Sequence, residues 1–405
     1  MAVPDSKPKH KNYDIIIVGG AIMGASTAWF LSDNKDFNGS VLVVEKDPTY
    51  EKSSTMHTNS CMRQQFSTEL NVRISQFAAD FVNNIRDYMG GDDRIPELSV
   101  RSFGYMYLAD NNEFADVLRE CQQVQLKAGA ATQLMSPAEI KEKYPFYNVD
   151  DIILGSINLL NEGYWDGTAV FDWWRRQSRE RGIEYISNEV VAMTRHSNGT
   201  QIESVTLKSG EVISCGKVLN ASGPRAARTA KMAGIDIPVE PRKRYSWIFA
   251  AEQALDQDLP LTIDPSGVHV RENGWGTYQC GAHSDIDPAA DYDDFAMDFD
   301  IWEQHVWPVL ATRIPQFEAI KVQSEWTGHY AYNTFDHNAV MGPHTELSNF
   351  FFLNGFSGHG LQQSPAMGRG TAEMLIYGEY RSLDMNPFNY ERILNNNPII
   401  ENAVI

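Results

Sequence analysis

The sequence of 405 residues predicts an α/β fold that opens with a parallel βαβ unit. Residues 13–18 (YDIIIV) and 41–45 (VLVVE) are short apolar runs rich in β-branched side chains, as in buried parallel strands. Between them lie a glycine-rich turn, Gly19–Gly24, and a segment through Ala28 and Trp29 that is predicted to be helical. The whole unit spans about 33 residues, the usual size of a βαβ motif. A Rossmann-like domain is therefore expected at the N-terminus.

The turn Gly19-Gly20-Ala21-Ile22-Met23-Gly24 has the spacing of the dinucleotide-binding fingerprint GxGxxG. In that fingerprint the glycines allow a tight turn, a close approach to the pyrophosphate, and packing of the helix on the strand. Ala21 occupies the second glycine position and adds a methyl group there. Glu45 ends the second strand, where an acid binds ribose hydroxyls and disfavours the extra phosphate of NADP. These residues predict a dinucleotide cofactor.

Further elements follow along the chain. Apolar residues at helical spacing predict a helix from Leu70 to Tyr88, and Ser136–Glu139 forms a capping box before a helix that Pro145 ends. Residues 184–214 are predicted to form a β-meander. Buried strands are predicted at Val218–Ala221 and Phe350–Leu353, the latter followed by a glycine-rich turn and a helix near Ala366–Tyr377.

Composition excludes several classes of function. The chain has 34 Lys+Arg against 53 Asp+Glu, a net charge of −19, which argues against binding nucleic acid or anionic membranes. The four cysteines form no CxxC pair and the histidines have no metal-ligand spacing, so no metal site is expected. The apolar stretch from Ile15 to Leu31 is punctuated by Gly19, Gly20 and Gly24, which fits strand, turn and helix better than one continuous span. No other run approaches the roughly 20 apolar residues of a membrane helix. The protein is expected to be cytoplasmic.

Three features favour FAD over NAD as the dinucleotide. A polar loop runs from Ser53 and Ser54 to residues 63–67 (RQQFS), placed to reach along an extended cofactor. The string Asn220-Ala221-Ser222-Gly223 ends a buried strand with small residues. The string 355–365 (GFSGHGLQQSP) is a strand-to-helix turn whose N–H groups suit a reduced flavin ring. An NAD-dependent dehydrogenase remains an alternative. The absorption bands of oxidised flavin in the visible spectrum of the pure protein would exclude it.

Four strings carry a resemblance that spans most of the chain: IIIVGGAIMG, SCMRQQFS, KVQSEWTGHYAYNTFDHNAVMGPH and FFLNGFSGHGLQQSPAMGRG. With them the chain resembles the D-amino-acid oxidase-like FAD-dependent oxidoreductase family. It is similar to the sarcosine oxidases and to a mitochondrial branch, with bacterial homologues, that assists complex I assembly. The resemblance implies an FAD-binding Rossmann-like domain of the glutathione-reductase type (1–93, 155–238 and 338–405). It also implies an interleaved mixed-sheet α+β substrate domain (94–154 and 239–337).

The resemblance also implies the site. Arg63 matches an arginine held beside the flavin ring, Tyr330 matches a residue lining the substrate cavity, and His359 lies in the flavin-facing turn. Arg271 and His283 belong to strands expected to cover the cavity, where either could pair with an anionic substrate. Together with Gln362 these are the candidate catalytic residues. The candidate cofactor-binding residues are Gly19, Ala21, Ile22, Met23, Gly24, Glu45, Lys46, Ser53, Ser54, Arg63, Gln64, Gln65, Val190, Ala221, Ser222, Gly223, Gly328, Gly355, Phe356, Ser357, Gly358, His359, Gly360, Leu361 and Gln362.

Three positions depart from the sarcosine oxidases. Gln362 stands where they carry a lysine that pairs with the substrate carboxylate, which puts sarcosine itself in doubt. Gly328 stands where they attach FAD through a cysteine, so FAD is predicted to be non-covalent. Gln279 falls near the lysine that promotes their reaction with oxygen, which favours another electron acceptor.

The resemblance predicts an enzyme that oxidises the C–N bond of a secondary amine or amino acid by hydride transfer to flavin. The resulting imine would be hydrolysed by water. Its expected partners are a small amine or amino acid, anionic or not, and oxygen or an electron-transfer partner as acceptor. The alternative is an FAD-bearing assembly or chaperone-like protein with little turnover.

Overall fold

The computed structural model describes residues 5–274 and 276–402. Its strands are β1 (Asn12–Val18), β2 (Val41–Glu45), β3 (Cys61–Met62), β4 (Tyr105–Ala109), β5 (Gln133–Met135), β6 (Leu154–Asn158), β7 (Gly163–Tyr164), β8 (Glu184–Ser187), β9 (Val190–Arg195), β10 (Ile202–Leu207), β11 (Val212–Asn220), β12 (Val239–Ala251), β13 (Leu261–Ile263), β14 (His269–Gly274), β15 (Thr277–Ala282), β16 (Ile320–Asn333), β17 (Val340–Pro343) and β18 (Phe350–Asn354). Its α-helices are α1 (Ile22–Asp33), α2 (Glu69–Asn83), α3 (Ile85–Tyr88), α4 (Asn112–Lys127), α5 (Pro137–Lys143), α6 (Gly167–Glu180), α7 (Ala226–Met232), α8 (Phe299–Ile301), α9 (Trp307–Arg313), α10 (Gly360–Tyr377) and α11 (Glu391–Leu394).

The chain divides into two compact units. The first unit contains Met1–Thr58, Gly167–Arg242 and Tyr330–Ile400, and the second contains Asn59–Asp166, Lys243–His329 and Glu401–Ile405. Both units are interleaved along the sequence, but their boundaries differ from those expected. Residues 59–93 and 155–166 belong to the second unit because α2 packs on α4 and β6 pairs with β4.

The first unit is built on a largely parallel sheet. Its strands lie in the order β17-β18-β11-β1-β2-β8, with β9 and β10 continuing from β11 as an antiparallel hairpin. Strand β1 is parallel to both β2 and β11, so the predicted βαβ unit is confirmed. Helix α1 packs against α10 and α6, where Ser26 Oγ donates to the Ser364 carbonyl at 2.7 Å. All parallel strands therefore end at one edge of the sheet, where ligands bind in such folds.

The second unit is built on a mixed, mostly antiparallel sheet of eight strands in the order β16-β12-β15-β14-β13-β4-β6-β5. Strands β4 and β13 are parallel, and the other pairs with described registers are antiparallel. One face carries a core of aromatic and aliphatic side chains that includes Trp247, Phe249 and Phe317. A helical segment from Phe299 to Arg313, with a π-helical turn at Trp302–Val306, covers part of that face.

Three predicted elements differ in the structure. The helix expected from Leu70 to Tyr88 breaks at Asn84, whose φ of −121° and ψ of 30° are not helical. Strand β8 is not part of the meander expected at 184–214, because it pairs in parallel with β2. Helix α10 begins at Gly360 rather than near Ala366 and contains Pro365. It tolerates this proline because Ser364 Oγ donates at 2.7 Å to the Leu361 carbonyl, which lacks the usual i+4 donor.

Candidate functional site

The glycine-rich turn after β1 is packed so closely that side chains are excluded. Gly19 has a φ of +100°, and a Cβ there would lie 2.5 Å from the Ala221 carbonyl oxygen. A Cβ on Gly24 would lie 1.9 Å from the Gly19 carbonyl oxygen. Both distances are too short for a carbon atom, so these positions require glycine for close packing of strand, turn and helix. Ala21 fits because it precedes α1 in an extended conformation.

The N-terminus of α1 is open toward the turn. Ala21 supplies no side-chain cap, and the first turn of the helix contains no acidic residue. The Ile22 N–H group is bound by Thr55 Oγ1 at 3.2 Å. Two residues before Thr55, the Oγ of Ser53 is buried without a hydrogen-bond partner among the described residues. A helix N-terminus whose N-cap residue offers no side-chain acceptor, beside glycine, is a typical phosphate-binding arrangement.

Glu45 ends β2 beside this turn. Its Oε2 accepts the Gly20 N–H at 2.8 Å, and its Oε1 accepts the Asp47 N–H at 2.9 Å. Burial raises the pKa of the Glu45 carboxyl, while these two N–H groups act in the opposite direction. A carboxylate offers about four acceptor positions, so two remain for ribose hydroxyls.

Strands β11 and β18 end next to each other at the same edge. Asn220 Oδ1 accepts the Ser222 hydroxyl at 2.7 Å and the Asn354 side-chain amide at 3.4 Å. Asn354 Oδ1 is buried and has no hydrogen-bond partner among the described residues. The predicted small-residue segment 221–223 thus lies beside the start of the turn at 355–360, as expected for residues that line one cofactor.

The turn at 355–360 is held in an unusual backbone conformation. Gly355, Ser357 and Gly358 have φ values of 72°, 47° and 92°. Ser357 fixes the turn because its Oγ accepts the Asn333 N–H at 2.9 Å and its own N–H donates to the Ala331 carbonyl at 3.0 Å. A non-glycine residue in the left-handed region costs about 1 to 3 kcal/mol, and such strain is concentrated at functional sites.

His359, Gln362 and Tyr330 all belong to this part of the first unit. His359 immediately precedes α10, and Gln362 lies in its first turn; their exposed fractions are 6% each. A Cβ on Gly358 would lie 2.4 Å from the Tyr330 ring, so Tyr330 packs directly on the turn. A Cβ on Gly360 would approach the Met23 side chain to 3.4 Å, which places the starts of α10 and α1 close together.

Arg63 lies in the second unit, in a loop after β3. It is 1% exposed, and its guanidinium lies 3.9 Å from the centroid of the Phe66 ring and 5.7 Å from that of Tyr107. Its Nη1 donates to the Gln65 carbonyl. The side chain is therefore an enclosed cation among aromatic rings rather than part of a surface ion pair.

Glu162 fixes the loop that carries Arg63. It accepts the Gln64 N–H at 2.5 Å and the side-chain amides of Gln65 and Asn158 at 2.9 Å each. Glu162 is fully buried, and burial raises the pKa of its carboxyl to about 8. The side chain of Gln65 also bonds Tyr105 and Ser156, so it is used within the unit.

A second polar cluster surrounds Arg271 on β14. Arg271 Nη2 donates to Gln279 Oε1 at 2.6 Å, and its Nε donates to the Asn59 carbonyl at 2.9 Å. Its Nη1 donates to the Glu272 carbonyl at 2.7 Å and to Asn273 Oδ1 at 3.3 Å. These acceptors are neutral and account for four of the five N–H groups. Arg271 is 4% exposed and forms no ion pair with any described residue.

His269 completes this cluster. Its Nε2 lies 2.7 Å from the Asn59 side-chain amide, and burial lowers the pKa of the imidazole to about 4. The ring is therefore neutral near pH 7, and it leaves Arg271 as the charged group of the cluster. His283 follows β15, where its Nδ1 lies 2.9 Å from the Ser284 carbonyl oxygen.

The remaining sequence candidates differ in burial. Val190 is a buried member of the first unit's core, and Lys46 is exposed. Gly328 is buried within β16 in the second unit. The basic residues at 242–244 are each engaged in an ion pair, with Glu240, Asp294 and Asp287 in that order.

Two buried acids were not found from the sequence. Glu162 follows an asparagine and precedes a glycine, a pattern that indicates only a turn. Glu401 lies in the C-terminal tail, where its Oε1 accepts the Ser67 N–H at 2.7 Å and its Oε2 accepts the Asn71 amide at 3.0 Å, at the start of α2. Neither acid has a local sequence signal, because most of their partners are distant along the chain.

Comparison with known proteins agrees with this geometry. The family model described as FAD dependent oxidoreductase (DAO) matches residues 14–374. The chain is 35% identical to FAD-dependent oxidoreductase domain-containing protein 1 of Xenopus laevis, covering 97% of this chain and 85% of that protein. The chain belongs to the FAD-dependent oxidoreductase family. Both the predicted family and the predicted fold class are confirmed.

Other members of the family are more distant. Human mitochondrial sarcosine dehydrogenase is 23% identical over 96% of this chain and 42% of its own length. The crystal structure of L-proline dehydrogenase from P. horikoshii superposes with a TM-score of 0.82 at 25% identity, covering 97% of this chain and 99% of that one.

FAD is the cofactor of this family, and the first unit fits it. The glycine turn and open start of α1 suit the pyrophosphate, Glu45 suits the ribose, and the buried oxygens of Ser53 and Asn354 need partners. When bound, FAD accepts two electrons from a substrate. Among the described residues no helix is long and apolar enough to span a membrane, and no cluster of side chains suits a metal ion.

Proposed function

We propose that this protein oxidises the C–N bond of a secondary amine or amino acid that carries a carboxylate. The substrate loses a hydride, that is two electrons and one proton, to FAD and a second proton to solvent, which yields an imine that water hydrolyses to a carbonyl compound and an amine. The names of relatives support this class of substrate, because they include sarcosine, dimethylglycine and L-proline dehydrogenases. Positioning and electrostatics provide most of the catalysis in such a reaction.

The observation that carries the proposal is the buried charge of Arg271. A buried cation is normally compensated by an acid, because leaving it unpaired is costly. Here four neutral oxygens hold the guanidinium in place, and one N–H on Nη2 remains. A substrate carboxylate would supply the missing charge. We assign Arg271 this binding role.

The acceptor of the electrons is proposed to be an electron-transfer partner rather than oxygen. Gln279 offers no positive charge, and its amide is already bound to Asn59 Oδ1 at 2.6 Å. It is therefore poorly suited to stabilise a developing superoxide anion. Stopped-flow mixing of the reduced protein with oxygen should give slow reoxidation, and a rate equal to that of the oxidases would contradict this proposal.

The carboxylate assignment is tested by pairs of substrates that differ only in that group. N-methylglycine and L-proline are compared with N-methylethylamine and pyrrolidine, respectively, by the rate of anaerobic flavin bleaching. In the wild type we expect the compound with the carboxylate in each pair to bleach the flavin faster than its partner. In Arg271→Gln this difference in rate should be much smaller. Arg101→Gln is the control, because Arg101 is an exposed arginine of the same unit that already pairs with Asp258 and Glu272.

Two results would contradict these assignments. If Arg271→Gln keeps the full preference for the carboxylate, the residue does not bind it. If no compound in a wider panel of amines bleaches the flavin, amine oxidation fails and an FAD-bearing assembly protein with little turnover becomes the better account.

A further inference from the structure

Strand β16 forms one end of the second unit's sheet and leaves an open edge. Over its first half the side chains of Lys321, Gln323, Ser324 and Glu325 are exposed. The carbonyl of Ala319 accepts the Glu252 N–H at 2.9 Å, so it faces β12. Successive residues of a strand direct their N–H and C=O groups alternately to its two sides. The peptide groups of residues 320, 322, 324 and 326 therefore face away from β12, toward the open edge. Such an edge is a template for pairing with another strand.

The exposed stretch is complementary to itself. When two copies pair antiparallel about Gln323, Lys321 of each copy lies opposite Glu325 of the other. Opposite charges facing each other across an antiparallel pair are stabilising, and like charges are destabilising. Neither Lys321 nor Glu325 forms an ion pair with any described residue of its own chain. The pairing would therefore add two ion pairs without breaking an existing one.

The other face of the same strand carries apolar surface. Ile320 and Val322 line a surface cavity of about 460 Å³ together with Trp302, Glu303 and Trp307. Trp307 is 39% exposed. In the same antiparallel register, Ile320 lies opposite Trp326 of the partner subunit. The partner's strand thus runs beside the face that carries the cavity and the exposed surface of Trp307.

We propose that the open edge of β16 is the interface of a homodimer, in which two copies pair this strand about a two-fold axis. The interface is isologous, since each residue contacts the same patch on the other copy. It joins two eight-stranded sheets into one of sixteen strands. The net charge of −19 opposes the association of two copies, so a patch with balanced charge is favoured as the place where they meet.

Charge reversal tests the pairing on the full FAD-loaded chain. Lys321→Glu places two acids opposite each other at both ends of the pair, and Glu325→Lys places two lysines there. The double variant K321E/E325K restores opposite charges in exchanged positions. Lys35→Glu makes the same change of charge at an exposed lysine of the first unit that has no ion pair among the described residues. Flavin absorbance reports that each variant is folded.

Sedimentation velocity over about 1 to 100 µM measures the dissociation constant of each protein. We expect a wild-type dimer, weakening of at least about tenfold in both single variants, and recovery in the double variant. Lys35→Glu should behave as the wild type. A wild type that is monomeric throughout, a double variant that stays dissociated, or equal weakening by Lys35→Glu would each overturn the proposal.

Discussion

Replacement of Glu162 by glutamine should change how the stability of the protein depends on pH. Glu162 is fully buried, and burial raises the pKa of its carboxyl from 4.5 to about 8. Between these values the folded protein retains a proton that the unfolded chain releases. This contribution to stability is therefore complete below pH 4.5 and is lost as the pH rises through 8. Glutamine resembles the neutral acid in shape but does not titrate.

The size of the effect follows from the shift in pKa. A rise from 4.5 to about 8 corresponds to about 5 kcal/mol, reached at a slope of about 1.4 kcal/mol per pH unit. The unfolding entropy of a chain of this length is large, so 1 kcal/mol changes Tm by only about 1 °C. Relative to the wild type, the Tm of Glu162→Gln should rise by about 1 to 2 °C per pH unit between pH 5 and 8.

Differential scanning calorimetry of both FAD-loaded proteins in matched buffers from pH 5 to 9 measures this difference. Glu203→Gln, at an exposed glutamate, is the control and should give a constant offset. A constant offset for Glu162→Gln as well would refute the reasoning. A variant that loses stability relative to the wild type as the pH rises would refute it too. In that case the N–H groups of Gln64, Gln65 and Asn158 would be stabilising an ionised carboxylate at Glu162.

Three more predictions concern the cofactor and the fold. Glu45→Gln removes charge and an acceptor beside the turn, so the affinity for FAD, measured by flavin fluorescence, should fall about tenfold or more. Arg392→Met leaves Asp336 buried without its two-point ion pair, so calorimetry should show a loss of about 3 to 5 kcal/mol; an unchanged Tm would contradict this. Because Gly328 offers no thiol, acid precipitation should leave the yellow colour in the supernatant, and a yellow pellet would show a covalent bond elsewhere.

Much of the first unit could be predicted from the sequence because its signals are local. The glycine turn and Glu45 lie within one βαβ unit, and short-range packing fixes both. The start of α10 was predicted too late because Pro365 normally ends or begins a helix. What permits the proline is a neighbouring hydroxyl, Ser364, whose hydrogen bond to Leu361 the sequence pattern does not reveal.

The second unit was harder to predict because its polar clusters join distant parts of the chain. Glu162 contacts Gln64 across 98 residues, and Arg271 contacts Asn59 across 212. The sequence identified Arg271 and His283 alike as residues that could bind an anion. Only the folded arrangement shows that neutral acceptors hold Arg271, whereas acids compensate the charges of the basic residues at 242–244.

The central claim is that the protein is an amine-oxidising flavoenzyme. Anaerobic addition of N-methyl amino acids, L-proline and D-amino acids to the purified FAD-loaded protein tests this claim most directly. At least one of these compounds should bleach the flavin absorbance bands, and the bleached protein should release a carbonyl product. A flavin that remains oxidised with every compound, yet is bleached by dithionite, would contradict it.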